Sequence, residues 1–147
     1  MVEVITRRGA VRRPSLSASV TYGDADTGDG TIAAARDFVA EFLTAAPGAG
    51  GDPVPRERVD LARLVVSELV TNAVRHAPGP CRVLLERFED ALDISVADRL
   101  EAAPVPRPHD PHRIGQHGLE IVLAVCESVS VEPYRSGKRV RARLSLT

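Results

Sequence analysis

Tryptophan is absent from the 147 residues, and the aromatics are two tyrosines and three phenylalanines. A protein that holds single-stranded nucleic acid by stacking bases on aromatic rings needs more than this. An excess of one charge is missing too: 19 basic residues stand against 20 acidic ones, for a formal net charge of −1. That balance argues against a sequence-blind nucleic-acid binder and against a polybasic membrane anchor. No apolar run reaches the ~18 residues that signal a membrane-spanning helix. The opening Met1-Val2-Glu3-Val4-Ile5-Thr6-Arg7-Arg8-Gly9 also lacks a signal-peptide core. Cysteine occurs twice, at Cys81 and Cys126, with no Cys-x-x-Cys partner, which reads as two reduced thiols in a cytoplasmic core. Lysine occurs once, as Lys138, in a chain whose other basic residues are all arginine.

What is present suits one domain. A chain of this length falls in the usual range of ~100–200 residues per domain and can bury about two-thirds of its surface. Residues 1–13 are polar and basic without a period and read as a flexible N-terminal arm, leaving 14–147 as a single domain. Alternation over Leu16–Tyr22 predicts an edge strand, and Gly23–Gly30 has turn chemistry whose end can cap the next element. Ile32, Ala35, Phe38, Val39, Phe42, Leu43 and Ala46 recur at helical spacing and predict a one-sided helix over 31–46. After the Pro/Gly-rich stretch 47–55, a second helix runs from about Arg56 to His76, where Pro78-Gly79-Pro80 stops it. It is apolar on more than one side, as a central helix is. Two strands follow, Arg82–Phe88 and Leu92–Asp98, joined by Glu89-Asp90-Ala91. Residues 100–113 hold four prolines and no period, and a connector that long is usually functional. Gly115-Gln116-His117-Gly118 opens a third helix from Leu119 to about Cys126. Strands Ser128–Pro133 and Arg139–Leu146 close the chain. The expected fold is α+β, a two-layer sandwich with a mixed or antiparallel sheet and helices on one face.

Three places could carry chemistry. Glu68, Asn72 and His76 stand at i, i+4 and i+8 and share one stripe of the second helix. A polar line on an otherwise apolar helix needs partners: solvent, a metal or a nucleotide. Asp98 ends an apolar strand, either as a turn residue or as a pocket carboxylate able to accept from an exocyclic amine. Gly115 to Leu119 begin a helix, where glycines admit close approach and backbone N–H groups favour phosphate. Two other patterns carry less. His109, Asp110, His112 and His117 could be drawn as a zinc cluster, yet they lie in the Pro-rich region with no cysteine nearby. Arg139, Arg141 and Arg143 share one face of the last strand, as a solvated face or a docking surface for an acidic partner.

Taken together and in this order, the three places resemble the GHKL ATPase/kinase superfamily, whose members share the Bergerat ATP-binding fold. Glu68-Leu69-Val70-Thr71-Asn72-Ala73-Val74-Arg75-His76 looks like its N box, Glu-x3-Asn-x3-His/Lys. Asp98 matches the aspartate of the G1 box, and Gly115-x-x-Gly118-Leu119 the G2 box. The resemblance runs from about residue 30 to 146 and implies a histidine-kinase-like ATPase domain. Ala35-Arg36-x-Phe38-Val39 and the ending Gly137-Lys138-x-Val140-x-Ala142-x-Leu144 look closest to the anti-sigma-factor serine/threonine kinases.

That resemblance implies a role for each residue. Asn72 would bind Mg²⁺ through its side-chain oxygen. Glu68 would orient or deprotonate the nucleophile that attacks the γ-phosphate of ATP. Asp98 would accept from adenine N6, while Gly115, His117, Gly118 and Leu119 wrap the phosphates under a lid formed by 100–114. His76 falls where the family carries a basic residue near the phosphates. The implied partners are a STAS-domain anti-sigma antagonist as phosphorylation substrate, a sigma factor as binding partner and a second copy in a homodimer, with neither nucleic acid nor membrane. The chain departs from the family in two places: Asp98-Arg99-Leu100-Glu101-Ala102-Ala103 has none of the usual G1 glycines, and Ser136-Gly137-Lys138 replaces the late Gly/Thr motif. The alternative is therefore a degenerate binding module of the same fold that controls a partner without phosphotransfer.

Overall fold

The computed structural model describes residues 13–23, 28–44, 53–76, 79–98, 116–135 and 137–147. Of the expected N-terminal arm only Arg13 falls among them, and the expected lid lies outside the described residues. In chain order the elements are β1 (Leu16–Tyr22), α1 (Gly28–Thr44), α2 (Arg56–His76), β2 (Cys81–Arg87), β3 (Ala91–Ala97), α3 (Gln116–Val125), β4 (Ser128–Tyr134) and β5 (Gly137–Ser145). The fold is α+β, as expected, and the five-stranded sheet is antiparallel throughout, in the order β1-β2-β3-β5-β4.

Side-chain alternation explains both edges. In β1, Leu16, Ala18, Val20 and Tyr22 turn inward while Ser17, Ser19 and Thr21 stay exposed, which suits an edge strand with one wet face. At the opposite edge β4 carries Pro133, which cannot donate to a ladder and is tolerated at an edge. The centre of the sheet is β3, buried along its whole length. Leu92, Ile94 and Val96 join Val83, Leu85 and Val140 under the helices, where each filled side chain contributes about 1.5–3 kcal/mol.

The other face of β3 carries Asp93 and Ser95, and β5 supplies their partners. Arg143 donates to both carboxylate oxygens of Asp93, at 2.7 and 2.9 Å, and stacks over Phe88 at 5.0 Å. Arg141 donates to Ser95 Oγ at 3.3 Å, and Arg139 pairs with Glu132 of β4 while lying over the Tyr134 ring. The three arginines of the expected face are half-exposed and each is engaged within the sheet. Because β5 lies inside the sheet, acids and a hydroxyl of both neighbouring strands engage its guanidinium groups.

Helix α2 is central: α1 packs along one flank, α3 along another, and the sheet lies beneath. That position accounts for its apolar residues on several sides. Helix α1 begins at Gly28, three residues before the expected start, so Gly28–Gly30 form its first turn and do not merely cap it. In α3, Leu119, Val122 and Val125 face the core at helical spacing, while Ile121 and Leu123 face outward.

Candidate functional site

Asn72 lies on the face of α2 that the sequence marks as polar, yet it is only 5% exposed. Neither its Oδ1 nor its Nδ2 has a hydrogen-bond partner among the described residues. An unsatisfied buried amide costs about 1–3 kcal/mol, so this one calls for a partner that the described residues do not supply. Glu68, one turn earlier, is half-buried. Ser67, beside it, is otherwise engaged: its Oγ bonds back to the Arg63 carbonyl at 2.8 Å, within the helix.

The first turn of α3 meets α2 at Glu68. A Cβ added to Gly118 would stand 2.7 Å from Glu68 Oε1, closer than such atoms approach one another. The missing side chain at 118 thus lets the carboxylate lie against the start of α3. Two residues separated by 50 positions in the chain, and singled out from separate motifs, are in this way brought together. Leu119, next in line, is half-buried with its side chain against the core. Any contact it makes with a phosphate would therefore run through its backbone. Gly115 and the side chains of His76 and His117 lie outside the described residues, as do His109, Asp110 and His112. Among the described residues no group of three or more potential ligands could hold a metal ion.

Asp98 follows directly on β3 and is 2% exposed. Its backbone N–H donates to the Lys138 carbonyl at 3.0 Å, continuing the β3–β5 ladder by one step beyond the Ala97–Arg139 pair. The reciprocal bond goes elsewhere: the Lys138 backbone N–H donates to Asp98 Oδ1 at 3.0 Å. Lys138 Nζ then donates to Oδ2, also at 3.0 Å. Residue 138 shares the inward parity of Val140, Ala142 and Leu144. The β3–β5 register, with Ala97 opposite Arg139, brings residue 138 to Asp98, and at the β4–β5 turn Arg135 takes the left-handed conformation at φ 54°. Sequence reasoning noted Lys138 without pairing it to Asp98. The available signal was a lone lysine on the apolar face of a strand, a position that demands an acidic partner.

Over residues 27–144 the chain matches the histidine kinase-like ATPase domain. It belongs to that family. No curated protein matches it significantly. Domains of the family bind ATP, usually with Mg²⁺. The donor set here fits that pair. Asn72 offers a buried amide oxygen without a partner among the described residues, a hard neutral ligand suited to an ion that also takes phosphate oxygens and keeps water. When bound, Mg²⁺ would neutralise charge on the phosphates, and Glu68 is the carboxylate within one helical turn of that ligand.

The Glu68–Gly118 contact yields an expectation for this ATPase domain. In Gly118→Ala the methyl group displaces the free end of the Glu68 side chain, a cheap movement for the fold. Ala is also the better helix former by about 1 kcal/mol. Thermal unfolding should show no loss of stability, whereas turnover of the γ-phosphate should fall at least about tenfold under the role that the N-box resemblance implies for Glu68, because a group so used is ineffective when misplaced by an ångström. Wild-type turnover in Gly118→Ala would separate the contact from the chemistry.

Both thiols are free, Cys81 buried and Cys126 half-buried. Burial, with a smaller contribution from the nearby Asp98 charge, pushes the Cys81 thiol up from 9.0 to about 11. Burial, then Glu127, pushes Cys126 up to about 12. The folded chain therefore holds protons that the unfolded chain releases near pH 9. This contribution to stability is complete below pH 9 and is lost as pH rises through 11 to 12. At pH 8 an alkylating reagent should label native protein slowly and urea-unfolded protein quickly, since the thiolate is the reactive form. Equal rates in the two states would contradict the assigned burial.

Proposed function

We propose that this chain is a Mg·ATP-dependent serine/threonine protein kinase of the anti-sigma type, acting in the cytoplasm. It phosphorylates a STAS-domain antagonist and binds a sigma factor, and so regulates transcription. The observation that carries the nucleotide part of this reading is the buried Asn72 amide with no partner among the described residues, one turn from Glu68. The resemblance of the early helix and of the 137–144 ending to that branch of the superfamily supports the choice of substrate and partner.

The chemistry follows from the placement. Glu68 takes the proton from, or orients, the serine or threonine hydroxyl of the partner as it attacks the γ-phosphate. Asn72 would hold Mg²⁺, which would supply positive charge to the phosphates. Asp98 accepts from the exocyclic amine of adenine. The first turn of α3, at Gly118, gives backbone N–H groups to the phosphates. Net charge near zero suits a protein whose partners are a nucleotide and other proteins.

The test is transfer of label from ATP, marked at the γ-phosphate, to STAS-domain proteins of the same genome in the presence of Mg²⁺. A labelled serine or threonine on the partner is expected. Labelled inorganic phosphate alone, with no labelled partner, would replace the kinase with a hydrolase. A second reading, a binding module without phosphotransfer, is favoured by the G1 segment without glycine. Under it the protein controls its partner equally well with and without nucleotide.

A further inference from the structure

The carboxylate that would read the base is not alone: both of its oxygens are engaged by one residue, through two different groups. The Lys138 backbone N–H holds Oδ1, and any residue other than proline at 138 could provide that bond. The ammonium is thus not needed to orient Asp98. Its side chain is 26% exposed, while the Asp98 side chain is 3% exposed, so the cation is the more open member of the pair. Of the three protons on Nζ one goes to Oδ2, and no other partner for Nζ occurs among the described residues. Among the described residues Oδ2 in turn keeps a free lone pair. An acceptor and a donor therefore stand side by side, 3.0 Å apart, at the end of β3.

We infer that Lys138 is a second nucleobase-reading residue, and that Asp98 Oδ2 with Lys138 Nζ forms one acceptor–donor edge for the adjacent N6–H and N1 of adenine. The inference rests on the ATP-binding reading and adds a specificity residue to it. Its rival is a competitor role, in which adenine must displace the ammonium to reach Asp98. Displacement exchanges a bond between two opposite charges for one in which only the carboxylate is charged, and leaves a lysine unpaired beside the base. Keeping Nζ in place costs none of this and satisfies N1, which would otherwise be buried without a donor. Guanine presents O6 and N1–H in the reverse sense to the same edge, and its affinity tests the commitment to adenine.

The experiment is a four-way binding cycle by calorimetry: wild type and Lys138→Met, each with Mg·ATP and with Mg·1-deaza-ATP, in which a C–H replaces N1. Wild type is expected to lose about tenfold or more in affinity on removal of N1, the worth of a hydrogen bond from a charged donor. Lys138→Met is expected to bind ATP more weakly than wild type and to lose little further with the deaza nucleotide. Because the ratio is taken within one protein, a general loss of stability in Lys138→Met cancels, and melting curves confirm that the variant is folded. Tighter ATP binding by Lys138→Met establishes the competitor role and overturns the inference. So does the same ATP/deaza ratio in both proteins, and so does wild-type affinity for Mg·GTP above that for Mg·ATP. If wild type binds none of these nucleotides, the ATP reading itself falls, an outcome distinct from the others.

Discussion

Glu68→Gln should abolish most phosphotransfer while leaving the nucleotide site occupied. The amide is isosteric with the carboxylate, so it still fits against Gly118, where the structure leaves room for no larger neighbour. It cannot accept the proton of an attacking hydroxyl. Loss of a positioned general base lowers rates by about 10²–10⁴-fold. Mg·ATP affinity should stay within about twofold, because the interaction lost is one made in the transition state. Single-turnover transfer measured beside equilibrium binding checks both halves. Undiminished transfer would remove Glu68 from the chemistry, and a parallel collapse of binding would make it a structural residue of the pocket.

Asn72→Ala should separate stability from function in the opposite sense to most core substitutions. The wild-type amide is buried, and both of its polar atoms lack partners among the described residues, a cost of about 1–3 kcal/mol in the empty protein. Alanine removes that cost and is the best helix former, against which stands a small cavity. The nucleotide-free variant should therefore melt no lower than wild type. Mg²⁺-dependent ATP affinity should fall about 100-fold, since the lost ligand acted on a charged group. The remaining binding should no longer respond to chelation of Mg²⁺. A variant that melts lower but retains Mg²⁺-dependent binding would make the amide a packing residue. The pattern expected here is the common trade of stability for a working site.

Local pattern carried far in this chain, and its failures have identifiable causes. The bounds of β1 and α2 follow directly from alternation and from the Pro78-Gly79-Pro80 stop. Strand ends elsewhere shift by a residue or two: β2 opens at Cys81, one residue before the expected Arg82, because Cys81 finds Tyr22 opposite it. Where pairing begins is decided by the partner strand, which alternation within one strand cannot encode. The arginines of β5 look solvated when read along one strand. They are engaged because β5 inserts between β3 and β4, bringing Asp93, Ser95 and Glu132 alongside. Chain order alone does not distinguish that insertion from a simple meander.

The candidate site divides along the same line. Glu68, Asn72, Asp98 and Gly118 were legible because each belongs to a short motif whose spacing is local: one helix face, one strand end, one helix start. The same holds for the family, whose match spans residues 27–144. Two things about the site were decided only by the fold. One is that the Asn72 amide is left without a partner among the described residues, which depends on what α1, α3 and the sheet bring to its surroundings. The other is that Asp98 meets Lys138, 40 positions away, through the register of β3 on β5. Periodicity and motif spacing are properties of neighbouring residues, so the sequence by itself determined the elements, the family and the candidate groups. Which polar atom is satisfied, and by whom, depends on contacts between distant segments, and the tertiary structure decided it.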